Sequence, residues 1–481
     1  MAKLKNIIKQ LSEKDFTAIY NSLIESNAEK SAYLLKALRE RSLSDNKIMT
    51  ELDVNANAYY TLRSRLNLKI EEYLMEQLES PRTDVLRKVA NINEVIFTKK
   101  KAISVATLKK LEKELLDYDL ANELTVIYKS LKRLNINSPD YFQYSQLYNR
   151  HVAYMLAVDK AEDLLADYFK KFGDFLLNGG EVEKLGLTLV MKEMQNVAKL
   201  YESHRLYVYQ SCMYVYHRLF VEVDDNMQQD GESIEDIFAK VQKIFESYHL
   251  DAIYYHLNLV FEFLKLEYYN HYKVYRQAEK YYEEVNDACA NLLVNYSTFT
   301  FPAQFLISKI ERNLRNGTEG ELYAENETVF EDYEVDPLDV PKHIVYTIYR
   351  ALSCYYVDKF EEAAKLINNL LNEVSLKKYP YAQLEIKSLL ALLYVLVRDY
   401  ELFNQLSNSI QRQIRLFGKD SCENIMLFLK VLKIATSEAK KEKSKKISAL
   451  IPRMNSTTEK YFAPTKLIKL DDKFVRLLTE V

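Results

Sequence analysis

Apolar residues recur at steps of three and four along almost the whole chain. Between Asp251 and Lys273, Ile253, His256, Leu257, Val260, Phe261, Leu264 and Tyr268 follow the 3.6-residue period of a helix. No segment alternates apolar and polar residues convincingly enough to predict a strand. Start and stop residues agree with helices. Ser12 precedes Asp15 by three and Ser233 precedes Asp236 by three, which are capping boxes with Asp in place of Glu. Pro139, Pro302 and Pro341 each open a helical pattern, where a missing backbone N–H costs nothing. Gly418, after Ile414, Leu416 and Phe417, suits a helix C-terminus.

Composition narrows the fold further. The 481 residues include 8 Gly, 8 Pro and no Trp, against 38 Tyr. Ordinary usage would put Gly at about 7% and Pro at about 5%. The shortage removes the turn chemistry of many-stranded sandwiches and barrels, and of phosphate-cradling Gly-rich loops. A hydrophobic share of 48% is enough for several cores or one long repeat array. A formal charge of -3 supplies no general basic field for nucleic acid or membrane surfaces. Cys212, Cys289, Cys354 and Cys422 are tens of residues apart, without a CxxC pair, so they read as buried reduced thiols. The opening MAKLKNIIKQLSEKDF lacks the apolar run of a signal peptide. No window approaches about 18 continuous apolar residues. The expectation is a cytoplasmic protein without a membrane partner.

Few stretches interrupt the helical pattern. Candidate boundaries fall at Asn135 to Asp140, Asn178 to Gly180, Met227 to Gly231 and Asn316 to Pro341. Within the last, residues 319–339 hold nine acidic residues and no Lys or Arg, which reads as a solvated connecting loop or a docking strip for a basic peptide. Residues 440–446 hold five Lys and one Glu, which reads as the wet face of a helix in preference to a nucleic-acid patch, because no aromatic residues interleave there.

The second half aligns with itself. Leu266, Tyr275, Ala278, Tyr282 and Val285 form one unit. Ala351, Phe360, Ala363, Ile367 and Leu370 form a second, and Ala391, Tyr400, Phe403, Ser407 and Ile410 a third. Each unit repeats the offsets nine, three, four and three. Such spacing describes a helix pair: a small or apolar residue late in the first helix, an aromatic plugging the joint, then a buried face on the second. From Tyr275 to Phe360 there is room for one further pair. These units resemble tetratricopeptide (TPR) repeats, most clearly in YRALSCYYVDKFEEAAKLINNLL from Tyr349 to Leu371. There Ala351, Phe360 and Ala363 match the family's small, aromatic and small positions. The period is nearer 40 than 34, Trp is absent, and Phe403 stands where the family prefers Ala. The resemblance implies an all-α fold, a right-handed superhelical array of antiparallel helix pairs (a TPR-like α-solenoid) over residues 138–435. An N-terminal helical region (1–137) precedes it and a C-terminal helical extension (436–481) follows. It also implies a scaffold that binds a protein or peptide in its groove.

Residues 31–78 carry a second resemblance. A short helix near Ile48 and Leu52, a turn at Asp53 to Asn57 and a following helix look like a helix-turn-helix unit over 45–70. Arg63, Arg65 and Lys69 would then contact DNA. The segment holds seven basic and seven acidic residues, which opposes phosphate binding. The alternative function is therefore a DNA-binding transcription regulator with a TPR-like sensor. No catalytic, metal or cofactor motif emerges: HExxH, P-loop, GxGxxG and GxSxG are all missing, and His256 reads as a packed histidine. The expectation is a protein that is not an enzyme and needs no cofactor. Paired tyrosines such as Tyr254-Tyr255, Tyr268-Tyr269, Tyr281-Tyr282 and Tyr355-Tyr356 are either inter-helix filler or anchors lining a groove.

Overall fold

The computed structural model describes every residue except 1–3, 5–7, 9–10, 12, 27, 41–44, 78–80, 223–231, 249–251, 289–298, 331–337, 419, 438–439, 458–461 and 481. Ser12, the Met227 to Gly231 boundary and Cys289 therefore lie outside the described residues. Those described form α-helices and three short 3-10 turns, with no strand among them. No helix among them is long and apolar enough to cross a membrane.

The chain divides into two compact units, Met1–Tyr148 and Asn149–Val481. The first contains α1 (Glu13–Glu25), α2 (Glu29–Glu40), α3 (Asp45–Glu51), α4 (Ala56–Gln77), α5 (Pro81–Ala90), α6 (Ile92–Thr98), α7 (Lys101–Asp117) and α8 (Ala121–Leu134). One core gathers Ile19, Leu23, Leu35, Ile48, Tyr59 and Leu66 from α1 to α4. Another joins Val85, Leu108, Leu111, Ile127 and Leu131 from α5, α7 and α8. The boundary between the units falls within α9 (Asp140–Asn178).

The second unit continues with α10 (Glu181–Lys199), α11 (His204–Phe220), α12 (Ile234–Ser247), α13 (Ala252–His271), α14 (Tyr275–Asp287), α15 (Ala303–Asn316) and α16 (Glu321–Phe330). Then come α17 (Val340–Tyr356), α18 (Phe360–Glu373), α19 (Pro380–Leu396), α20 (Tyr400–Phe417), α21 (Glu423–Ser437), α22 (Lys440–Ser456) and α23 (Asp472–Glu480). Consecutive helices pack as hairpins, α13 on α14, α17 on α18 and α19 on α20. In the last pair Tyr381 faces Phe417, with ring centroids 5.8 Å apart, and Lys387 reaches Gln413 at 3.1 Å. Partner numbers fall on one helix as they rise on the other, so the two run antiparallel.

The three aligned units are built on one turn. Lys273, Asp358 and Arg398, each two residues before the second helix, adopt left-handed φ of 58°, 61° and 63°. In each turn the next N–H bonds back to a carbonyl five residues earlier: Val274 to Tyr269, Lys359 to Cys354 and Asp399 to Tyr394, at 2.8, 2.9 and 2.9 Å. This is the six-to-one closure of a helix end that glycine ordinarily allows. The first unit uses it too, at Asp53 and Asp119, with bonds from Val54 to Met49 and from Leu120 to Leu115. A chain with so few glycines closes its hairpins on residues that pay about 1–2 kcal/mol for that φ. Lys273→Gly is expected to raise stability by about 0.5 kcal/mol, the relief of φ less the added freedom of the unfolded chain. Asp358→Gly should gain less, because it loses the 3.0 Å ion pair with Lys473. Urea midpoints of the two variants check this, and a lower midpoint for Lys273→Gly would contradict it.

Two expectations need correction. The acidic stretch 319–339 is not wholly a connecting loop, because Glu321–Phe330 is helical and buries Leu322. Two of its carboxylates are engaged inside the chain: Glu325 pairs with buried Lys309, and Glu319 with Lys469 at 3.2 Å. Two of the repeat aromatics expected to plug the joints stand at the rim. Tyr275 and Tyr400 are each 36% exposed, whereas Phe360 is half-buried against Tyr355 across its turn, with ring centroids 5.8 Å apart. The buried face begins three residues later, at Ala278, Ala363 and Phe403, opposite Leu266, Ala351 and Ala391, all buried.

Candidate functional site

Sixteen tyrosines among the described residues are buried. Tyr209, Tyr216, Tyr254, Tyr346 and Tyr349 are among the largest fully buried side chains, and Tyr355 and Tyr356 are also buried. Their role is packing between helices, and a tyrosine-lined groove does not form from them. Tyr356 lies under the C-terminal segment, donating to Leu467 O at 2.5 Å and accepting from Lys469 N at 3.2 Å.

Polar groups with catalytic potential are equally enclosed. Tyr168 Oη lies 3.0 Å from His217 Nδ1, and His217 Nε2 lies 3.4 Å from Glu222. His217 is fully buried, and burial holds its pKa below the ordinary imidazole value while Glu222 pulls it back up. Glu385, in the apolar run of α19, is buried as well. Its Oε1 accepts from Asn424 at 2.5 Å and Tyr381 at 3.2 Å, and its Oε2 accepts from Thr465 Oγ1 at 2.6 Å and Thr465 N at 3.4 Å. Burial pushes its pKa up to about 7 against these four donors. The carboxyl thus ties the Pro464–Leu467 turn to α19 and α21. Cys212, Cys354 and Cys422 are buried free thiols. His256 is half-buried beside Phe299, at 5.8 Å.

The cations expected to meet DNA are dispersed on α4. Arg63 lies over the Tyr59 ring at 5.8 Å, Arg65 is exposed, and Lys69 pairs with Glu72 at 3.7 Å. Residues 63 and 65 are two apart and so face different sides of the helix.

Two open cavities lie in the second unit. A cleft of about 550 Å³ is bordered by Lys170, Asp174, Thr300, Leu338, Lys342 and Tyr379. Its charge is partly spent, because Asp174 accepts from Lys378 at 2.7 Å and Tyr379 at 2.5 Å. A groove of about 440 Å³ lies between α20 and α21. Gln411, Ile414 and Arg415 border it from α20, and Met426, Leu429, Lys430, Lys433, Ile434 and Ser437 from α21. Steps of three and four place these residues on one face of each helix. The lining has an apolar floor, three cations and no carboxylate. Among the described residues none of the three cations has an ion pair.

The groove also marks a change in packing. α18 lies directly along α19, the next first helix. Between α14 and α15 the equivalent space is filled by the Tyr282–Phe305 contact at 5.9 Å and by Arg312, which grips both Glu279 oxygens at 2.9 and 3.0 Å through Nε. At α20 and α21 it is left open, while both helices rest on α19. The repeat alignment did not reveal this site. Its sequence trace is the pair Lys430 and Lys433 breaking the apolar face of α21.

The described residues are thus all-α, with several consecutive helices paired as hairpins. No family model, no curated protein and no solved structure matches it.

Proposed function

We propose that this protein is a non-enzymatic scaffold, a degenerate TPR-like solenoid over residues 138–435 that binds a protein or peptide partner. The observation that carries the reading is that the turns at Lys273, Asp358 and Arg398, a closure also used at Asp53 and Asp119, fall at the same position in each of the three aligned units. Identical turns with the same buried offsets favour one repeating hairpin, and a hairpin that leaves one face apolar gains by stacking. α15 and α16 lie in the interval between the first two aligned units, and each packs on α17. Extended stacks of this kind present long surfaces suited to partner binding. The helix-turn-helix reading of 45–70 is weaker, since Lys69 is paired and Arg63 leans on Tyr59.

The test is capture of partners by the full-length chain from extracts of its source, followed by crosslinking and mass spectrometry. Crosslinks from a stoichiometric partner are expected to concentrate between residues 303 and 437. A chain that captures no stoichiometric partner, or whose crosslinks all fall within residues 1–148, would overturn the reading.

A further inference from the structure

We infer that the groove between α20 and α21 is a docking slot for an acidic amphipathic helix of a partner protein. This deepens the scaffold reading and rests on it, by naming the chemistry of the partner.

The floor is apolar. Ile414 and Leu429 are buried at its base, and Met426 and Ile434 are half-buried beside them. A partner bringing its own apolar residues would remove the remaining exposed surface of Met426 and Ile434 from water, which is favourable in proportion to the area covered. The open space lies between two helices that both rest on α19. It occupies a position that a neighbouring helix or bridging side chains fill elsewhere in the unit. A helix laying apolar residues at i, i+3, i+4 and i+7 into a groove is an established recognition mode.

The charge of the rim selects the sign of the partner. Arg415 stands on one side, and Lys430 and Lys433 on the other, with no lining carboxylate to neutralise them. An acidic peptide would pair with these cations as it docks, whereas a basic one would be repelled. The openness of the groove favours a helix over a small molecule, which requires most of its own surface to be enclosed.

The test uses two labelled helical peptides of 18 or so residues, read by fluorescence anisotropy against the full-length protein. One carries Leu at helical spacing flanked by Glu, and the other has every Glu replaced by Lys. The acidic peptide is expected to bind at least about tenfold more tightly than the basic one, and less tightly as salt rises. The double variant Lys430→Glu/Lys433→Glu, with its helix content checked by circular dichroism, is expected to reverse that order. Equal binding of the two peptides, no binding of the acidic one, or an unchanged order in the double variant would each overturn the inference. The two proposals fail separately. Partner capture that survives in the double variant removes the groove and leaves the scaffold. Absence of any captured partner removes the scaffold, and the peptide titration still decides the chemistry of the groove.

Discussion

Replacing Glu385 by Gln is expected to flatten the pH dependence of stability, and replacing it by Ala to cost about 3 kcal/mol. The Ala variant leaves Thr465, Asn424 and Tyr381 facing a buried space without their shared acceptor, and each unmatched buried donor costs about 1–3 kcal/mol. The Gln effect follows from the raised pKa. The native carboxyl titrates at about 7, above the 4.5 of the free side chain. The folded state therefore keeps a proton that the unfolded chain has already released. Its contribution to stability is complete below the unfolded value and is lost as pH rises through 7. From pH 5 to pH 8 the stability of the natural protein relative to Glu385→Gln should fall by about 2–3 kcal/mol. Urea unfolding of both proteins at pH 5, 6, 7 and 8 measures this. Parallel curves would contradict it. The Ala variant should also be cut faster by protease in the C-terminal segment, because the turn at Pro464–Leu467 loses its tie to α19.

Tyr216→Ala is expected to destabilise the second unit by about 3–5 kcal/mol, the usual cost of removing a buried aromatic ring. Tyr216 is the centre of an aromatic cluster, with Phe220, Phe172 and Phe169 centroids at 4.6, 4.8 and 4.9 Å. Tyr216→Phe should behave in the opposite way. The Tyr216 hydroxyl is buried without a hydrogen-bond partner, so deleting it should leave stability unchanged or raise it by up to about 1 kcal/mol. The contrast separates ring packing from the polar tip. Urea midpoints near that of the natural protein for the Ala variant, or a large loss in the Phe variant, would show that the cluster is not organised around this ring.

The carboxylate and the ring behind these predictions differ in how visible they are from residue order. Glu385 can be noticed as the one acid within PYAQLEIKSLLALLYVL, four residues after Tyr381. Nothing in that run says that Thr465 will supply two donors from 80 positions away. Tyr216 sits in a segment crowded with aromatics, and local spacing does not choose which ring becomes the hub. The groove at α20 and α21 is hidden for a similar reason. Ile414, Met426, Leu429, Lys430 and Lys433 are ordinary members of two amphipathic helices until the gap between those helices is seen.

Helix type, the scarcity of other elements and the spacing of the hairpins were determined by residue order alone. They depend on local periodicity, on capping residues such as Ser233, whose Oγ accepts from Asp236 N at 3.1 Å, and on the offsets shared by three units. Tertiary structure decided which of the described tyrosines are enclosed, that the first part of the acidic stretch, Glu321–Phe330, becomes α16, and where helix packing leaves an open slot. These outcomes depend on contacts between residues distant in the chain. A side chain's period fixes the face it occupies on its own helix, and the neighbour that covers that face, or leaves it open, is set by how whole helices pack.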